Sequence, residues 1–191
     1  ARQGGASLHA HAGGPHAREP AERAGRDAEA QPAAAQPLDV LAAVQTSGVP
    51  RIAGHMDMCS LGATVAASAQ ALDEAGLGVD DLSLAELHDC FSIAEILNSE
   101  DLGLVPRGEG AAWAAEGRTG SDGDRPINPS GGLLAKGHPV GATGLGQLYE
   151  AAMQLRGTHS NQVRDARFAL THNLGGAGVA CTVSILGRPD A

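Results

Sequence analysis

Strands alternating with helical stretches, closed by two terminal strands, predict an α/β domain with a mixed sheet and helices on its faces. Three observations carry this expectation. Leu82 to Leu87 is a compact apolar run that suits a buried strand. Leu145, Leu148, Ala152 and Leu155 step by three and four, with Gly157 placed to end a helix. Val179, Cys181, Val183 and Ile185 then alternate with smaller or polar neighbours, as a strand does.

Composition narrows the functional classes. Of 191 residues, 42% are apolar, so a core can form, but that stock is mostly Ala, Val and Leu. Trp113, Tyr149, Phe91 and Phe168 are the whole aromatic supply, which leaves little for stacking on bases. A net charge of −9 opposes a phosphate backbone, so no nucleic-acid partner is expected. Cys59, Cys90 and Cys181 are odd in number and form no CxxC pair. They predict a reduced, cytoplasmic protein rather than a disulfide scaffold. No apolar run approaches the ~20 residues of a membrane span, and the opening residues lack the pattern of a secretory signal.

Residues 1–48, rich in Ala, Gly, Pro, Arg, Glu and His, predict a disordered tail ahead of a folded domain over 49–191. The histidines of that tail, His9, His11 and His16, are expected to be solvated rather than metal ligands. Residues 50–54 resemble a short strand. Val65, Ala69 and Leu72 follow at helical spacing, ended by Gly76. Ser92 and Glu95 have the spacing of a capping box, with Ile93, Ile96 and Leu97 as the apolar face of a second helix closed by Gly103. From Pro106 to Gly137 the chain is loop-like. After the third helix come two strands joined through a glycine-rich connection, Asn173 to Gly178, which suits a hairpin pressed against a neighbour. No internal repeat is present.

Three segments place proton-handling side chains where strands meet loops, which is where open α/β sheets bind ligands. The first is Glu86-Leu87-His88-Asp89-Cys90-Phe91. The second is Asn128-Pro129-Ser130-Gly131-Gly132-Leu133-Leu134-Ala135-Lys136-Gly137-His138-Pro139-Val140-Gly141. The third is His172-Asn173-Leu174-Gly175-Gly176-Ala177-Gly178. A thiol and two imidazoles can move protons near neutral pH, and His138 precedes a helix whose N–H groups could support an anion. On spacing alone, His88 and His138 could equally be structural histidines.

The second segment resembles the thiolase signature N-x-x-G-G-x-x-A-x-G-H-P-x-G, with every fixed position present. The His88-Asp89-Cys90-Phe91 segment resembles the variant of sterol-carrier-protein-type thiolases, where most thiolases carry NEAF. The third aligns with the family's late CxG loop, with Asn173 where the cysteine usually stands, a departure that fits the same subfamily. The resemblance covers about residues 50 to 187. It implies the C-terminal half of a thiolase, with a mixed sheet of the five-stranded type, acting on acyl-CoA thioesters by Claisen condensation or thiolysis. The CoA thioester would be substrate, with no permanently bound cofactor and no metal.

In that reading His138 would polarise the thioester carbonyl and help activate the nucleophile. His88 would help hold an oxyanion, directly or through water. Cys90 would be the acid/base at the α-carbon or the leaving thiol, with a thiolate favoured by a neighbouring imidazole and a helix N-terminus. Asn128, Gly131, Gly132, Gly137, Asn173, Gly175 and Gly176 would shape the loops. Asp89 suits a helix N-cap better than an orienting carboxylate. Lys136 suits a solvated lysine better than a CoA-phosphate ligand, Cys181 a core residue, and Trp113 a packing anchor.

Nothing in the chain resembles the half of a thiolase that carries the nucleophilic cysteine. Cys59 lacks that motif's context. The implied partner is therefore a thiolase N-terminal half or a homo-oligomeric copy. Two other readings stay open: a binding or assembly module with a thiolase fold, and a subunit of a thiolase-fold aldolase. A zinc site of His88, Cys90 and His138 is possible by ligand type alone, without spacing to support it.

Overall fold

The computed structural model describes residues 36–49 and 58–191. Four strands form one mixed sheet: β1 (Asp39–Ser47), β2 (Leu84–Glu86), β3 (Phe168–Gly175) and β4 (Ala180–Gly187). Their order is β1-β4-β3-β2, with β1 and β3 antiparallel to β4 and β2 parallel to β3. The described residues thus supply four strands of the five expected. The strand read at 50–54, and the histidines at 9, 11 and 16, lie outside the described residues.

β1 corrects the sequence reading, which placed all of 1–48 in a disordered tail. Residues 39–47 pair along β4 from Asp39 opposite Gly187 to Ser47 opposite Ala180. Only Ala42 and Val44 of this strand are buried, so its stabilisation comes largely from the ladder and two modest side chains. Such a strand has little apolar bulk to announce it.

Five helices accompany the sheet: α1 (Gly62–Ala75), α2 (Ser92–Asp101), α3 (Gly110–Ala115), α4 (Gly132–Lys136) and α5 (Thr143–Leu155). α1 packs on β1 and β4, and α5 packs on β3 and β2. Alternation along the strands splits the core accordingly. Ala42, Val44, Leu170, Val183 and Ile185 face α1, while Leu84, Ala169 and Leu186 join Ala151 and Leu155 of α5.

The helices exist where the spacing predicted them, but three present a different face. α1 buries Ala63, Thr64, Ala67, Ser68 and Ala71, whereas Val65 is exposed. Small residues at four-residue intervals let the helix backbone approach the sheet closely. Gly76, left-handed with φ 66°, ends α1 as expected. α5 buries Thr143, Gln147, Ala151, Gln154 and Leu155 and leaves Leu145 and Tyr149 exposed. In α2 the buried residues are Asn98, Ser99 and Asp101, and Ile93 is exposed. The capping box also fails: Phe91 is the N-cap, and Glu95 accepts a hydrogen bond from Asn128 Nδ2 at 2.9 Å. The 106–137 region holds two short helices, α3 and α4, where a loop was expected.

Among the described residues no helix is long and apolar enough to cross a membrane.

Candidate active site

The site is built where β2 runs out. Glu86, the last residue of β2, is 1% exposed, and its carboxylate accepts the Ser130 N–H at 3.1 Å and the Ser130 hydroxyl at 2.5 Å. Burial pushes the Glu86 carboxyl above its usual range, with the Ser130 hydrogen bonds and Lys136 working against the rise. Lys136 lies 3.7 Å from Glu86 and 3.1 Å from Glu150. Its ammonium is therefore held between two carboxylates rather than loose in solvent.

Two loops are stitched together next. Asn128, in a left-handed conformation with φ 48°, accepts the Leu87 N–H on Oδ1 at 2.8 Å. Asp89 accepts the N–H groups of Leu133 at 2.7 Å and Leu134 at 3.3 Å, so its carboxylate caps α4 rather than its own following helix. Gly131, Gly132, Gly137 and Gly176 all have positive φ, at 92°, 63°, 89° and 57°. At Gly132 there is a second constraint, because a Cβ there would overlap the Asp89 carboxylate. Gly175 is extended, with φ −116° and only ordinary contact where a Cβ would stand.

This stitching brings two imidazoles edge to face: the His88 and His138 rings lie 4.9 Å apart at 85°. His88 is 5% exposed and its Nδ1 is buried without a hydrogen-bond partner. Burial, then the neighbouring His138, hold the His88 pKa below its ordinary value, with Asp89 pulling the other way. His88 is thus neutral at neutral pH. His138 sits at the surface with Nδ1 2.7 Å from the Thr143 hydroxyl, which itself donates to the Pro139 carbonyl at 3.1 Å. With its hydroxyl turned to Pro139, Thr143 is placed to accept from His138 Nδ1, the arrangement that leaves Nε2 as the nitrogen facing away from Thr143.

Cys90 follows His88 by two residues and is half-buried. Burial pushes its thiol up, the backbone N–H groups of Phe91 and Cys90 oppose this, and the Asp89 carboxylate adds to it. The side-chain charge acting on Cys90 is the Asp89 carboxylate, which opposes a thiolate. Asn173 donates to Gln147 Oε1 at 3.3 Å and lines a groove of about 350 Å³ with Val140, Gly144, Leu145 and Thr182. That groove runs along the His138 loop on the α5 side, and its lining includes none of His88, Cys90 or His138. Cys59 is exposed, ahead of α1, and is not in a disulfide. Cys181 is fully buried, with its thiol pushed up to about 11. Trp113 packs on the core, its face covered by the Arg118 guanidinium 3.5 Å from the ring centroid. Among the described residues no group of three or more His, Cys, Asp or Glu side chains is placed to hold a metal ion.

Sequence reasoning missed Thr143, beside His138, and Thr64 and Asn98, which with His172 surround the His88 backbone; His172 stood in the third segment but was given no role. Thr143 had a local signal, five residues past His138 at a helix start. Thr64 and Asn98 had none.

Comparison with known proteins fits this geometry. The family model described as "Thiolase C-terminal domain-like" matches residues 45–188. An acetyl-CoA acetyltransferase of Methanothermobacter thermautotrophicus is 46% identical over 153 residues, 80% of this chain and 40% of that protein. Sterol carrier protein 2 of Rattus norvegicus is 48% identical over 127 residues, 65% of this chain and 23% of that protein. The chain thus spans less than half the length of these relatives. Among solved structures, an Ltp2-ChsH2(DUF35) aldolase superposes with TM-score 0.70 at 26% identity, over 82% of this chain and 41% of that one. A monomeric SCP2-thiolase-like protein of Mycobacterium smegmatis, at 23% identity and TM-score 0.58, shares the fold over 81% of this chain and 30% of that one. By its signature loop and by the family match over most of its length, the chain belongs to the thiolase family, in which it has the C-terminal domain.

Proposed function

We propose that the chain carries the acid/base half of a thiolase-type acyltransferase acting on acyl-CoA thioesters, and that another polypeptide segment brings the attacking cysteine. The observation that carries this reading is the His88–His138 pair: a neutral, buried imidazole with an unpartnered ring nitrogen, edge to face with a surface imidazole. The His138 lone pair takes the proton of the attacking thiol. The thiolate adds to the thioester carbonyl carbon, and the carbonyl electron pair moves to oxygen, where the His88 N–H stabilises it. A donor in that role contributes about 10²–10³ in rate. The oxyanion then re-forms the carbonyl and expels either the α-carbon as a carbanion or the thioester sulfur as a thiolate, leaving the acyl group on the attacking cysteine. Cys90, protonated at neutral pH in the chain by itself, gives its proton to the departing carbon or sulfur.

The need for a partner is supported by the surface. Phe91, Ile93, Leu134, Val140, Leu145 and Tyr149 are all large and exposed, and all lie in the loops that hold His88 and His138 or in the helices that adjoin them. Apolar residues gathered around polar chemistry mark a surface built to be covered.

The test is thiolysis of acetoacetyl-CoA by this chain alone and mixed with a thiolase N-terminal half. Turnover is expected only in the mixture, abolished by His138→Ala and lowered about 10²–10³-fold by His88→Ala. Turnover by the chain alone, lost on Cys59→Ala, overturns the reading.

A second reading draws on the aldolase relative in structure and on the raised Cys90 thiol. Carbon–carbon cleavage needs no acyl-enzyme, so a protonated thiol costs it nothing. Cysteine-independent turnover of a β-hydroxyacyl-CoA would favour it.

A further inference from the structure

We propose that Thr64, Asn98 and His172 close a ring of buried hydrogen bonds around the main chain of His88 and act as positioning residues for its imidazole. The three come from different elements: the first turn of α1, the end of α2 and the middle of β3. All three are fully buried. The His88 backbone N–H donates to His172 Nδ1 at 3.4 Å, so that nitrogen must be bare. The remaining proton of a neutral His172 is then on Nε2, which lies 3.1 Å from the Thr64 hydroxyl and donates to it. Thr64 in turn donates to Asn98 Oδ1 at 3.3 Å. Asn98 completes the circuit by donating from Nδ2 to the His88 carbonyl at 3.3 Å. Taken in this order, each group donates to the next around the ring. Reversing any single group would set two donors, or two acceptors, against each other.

The ring takes hold of both polar atoms of one peptide residue. A buried backbone N–H and C=O beyond the end of β2 would otherwise need a longer strand or water. Here they are tied to side chains instead, which fixes the φ and ψ of His88 and with them the direction of its Cβ. The imidazole that results meets His138 edge to face at 4.9 Å. A displacement of ~1 Å at such a group can cost about 10²-fold in rate, so a rigid backbone at this one residue has a chemical use beyond stability. His172 suits the task because it stays neutral: burial, and then His88, hold it down to about 3. A histidine that took up a proton would lose the acceptor that His88 N–H requires. Cys181, also in hydrogen-bond contact with Thr64 and pushed up by burial, stays a thiol and adds no charge to the ring.

The inference rests on the reading of His88 as an oxyanion-holding group, but its first test needs no turnover. Long-range ¹H–¹⁵N correlation of the histidine rings in the whole chain reports tautomer and charge. His172 is expected as the Nε2–H tautomer, without titrating between about pH 5 and 8. A protonated Nδ1, or an ordinary titration of His172, overturns the ring in the unaltered protein, whatever any variant does. Thr64→Val keeps the shape and removes the hydroxyl. It is expected to shift both His172 and His88 ring signals, and Thr64→Ser to restore them. His88 signals unmoved in a folded Thr64→Val chain would show that the ring does not reach the imidazole, and would sink the proposal. In the assembled enzyme, Thr64→Val should lower kcat about tenfold with little change in KM, with rescue by Ser. Absence of turnover in the unaltered enzyme counts against the proposed function and leaves the spectroscopic result standing.

Discussion

The Thr143 hydroxyl lies between His138 Nδ1, at 2.7 Å, and the Pro139 carbonyl, at 3.1 Å, and so ties the His138 ring to the start of the following helix. Because Thr143 opens α5, the helix start doubles as the orienting group of the adjacent loop. Thr143→Val removes the acceptor for Nδ1–H and leaves the tautomer to solvent, whereas Thr143→Ser keeps it. The expectation is a mixed tautomer population at His138 in the Val variant, read from ring ¹⁵N shifts, and a loss of about tenfold or more in the completed enzyme. A single Nδ1–H tautomer surviving in the Val variant would contradict this role of Thr143.

Gly132 is held by two independent constraints, a φ of 63° and the Asp89 carboxylate in the space a Cβ would take. Gly132→Ala should therefore destabilise by about 1–3 kcal/mol, the usual range for a forced backbone. It should also loosen Asp89 from the Leu133 and Leu134 N–H groups. Gly146 provides the contrast, since it lies inside α5 with open space where a Cβ would stand. Gly146→Ala should stabilise by up to about 1 kcal/mol. Urea denaturation of both variants checks the pair, and equal effects would refute the argument.

Acid should unfold the chain over a window set largely by His172. Its pKa is held down to about 3 in the folded chain, against an ordinary histidine value in the unfolded one. Below about pH 6.5 the unfolded chain binds a proton that the folded chain refuses, so stability is full above that pH and falls towards pH 3. Each pKa unit of difference corresponds to about 1.4 kcal/mol. His88, shifted the same way, adds to the fall. Glu86 and Glu95, raised by burial, protonate earlier in the folded chain and soften it within the carboxylate range. His172→Gln should flatten the slope between pH 6 and 4, whatever it does to stability at pH 7. An unchanged slope would mean that His172 titrates normally.

The sequence made the helix positions and the meeting of two loops legible through different signals, and the failures share a cause. Gly76 and Gly157 ended helices where expected because a left-handed C-terminal residue is a local requirement. The buried faces of α1 and α5 were misread because hydrophobic periodicity weights bulky side chains. Here Ala67, Ala71 and Gln147 face inward, while Val65 and Leu145 face out. β1 was hidden for the same reason. His88 and His138 were legible because the loop motif forces their residue types, but the ring behind His88 was not. His172 is 84 residues from His88 and 108 from Thr64 in sequence, and only the packing of α1 against the sheet brings them together.

The outward-facing leucine of α5 leads to the last expectation. Val140 is 83% exposed and Leu145 70%, on either side of the turn that follows His138. Burying two such side chains under a partner contributes at least about 1.5 kcal/mol each, or roughly a hundredfold in Kd together. The chain alone should therefore bind an apolar dye and self-associate as its concentration rises. Val140→Ser with Leu145→Ser should weaken both behaviours, and should weaken binding to a thiolase N-terminal half by about a hundredfold. Because neither residue is part of the core, the melting temperature of the lone chain should hardly move. Unaltered affinity for the partner, measured by titration calorimetry, would show that the covering segment docks elsewhere.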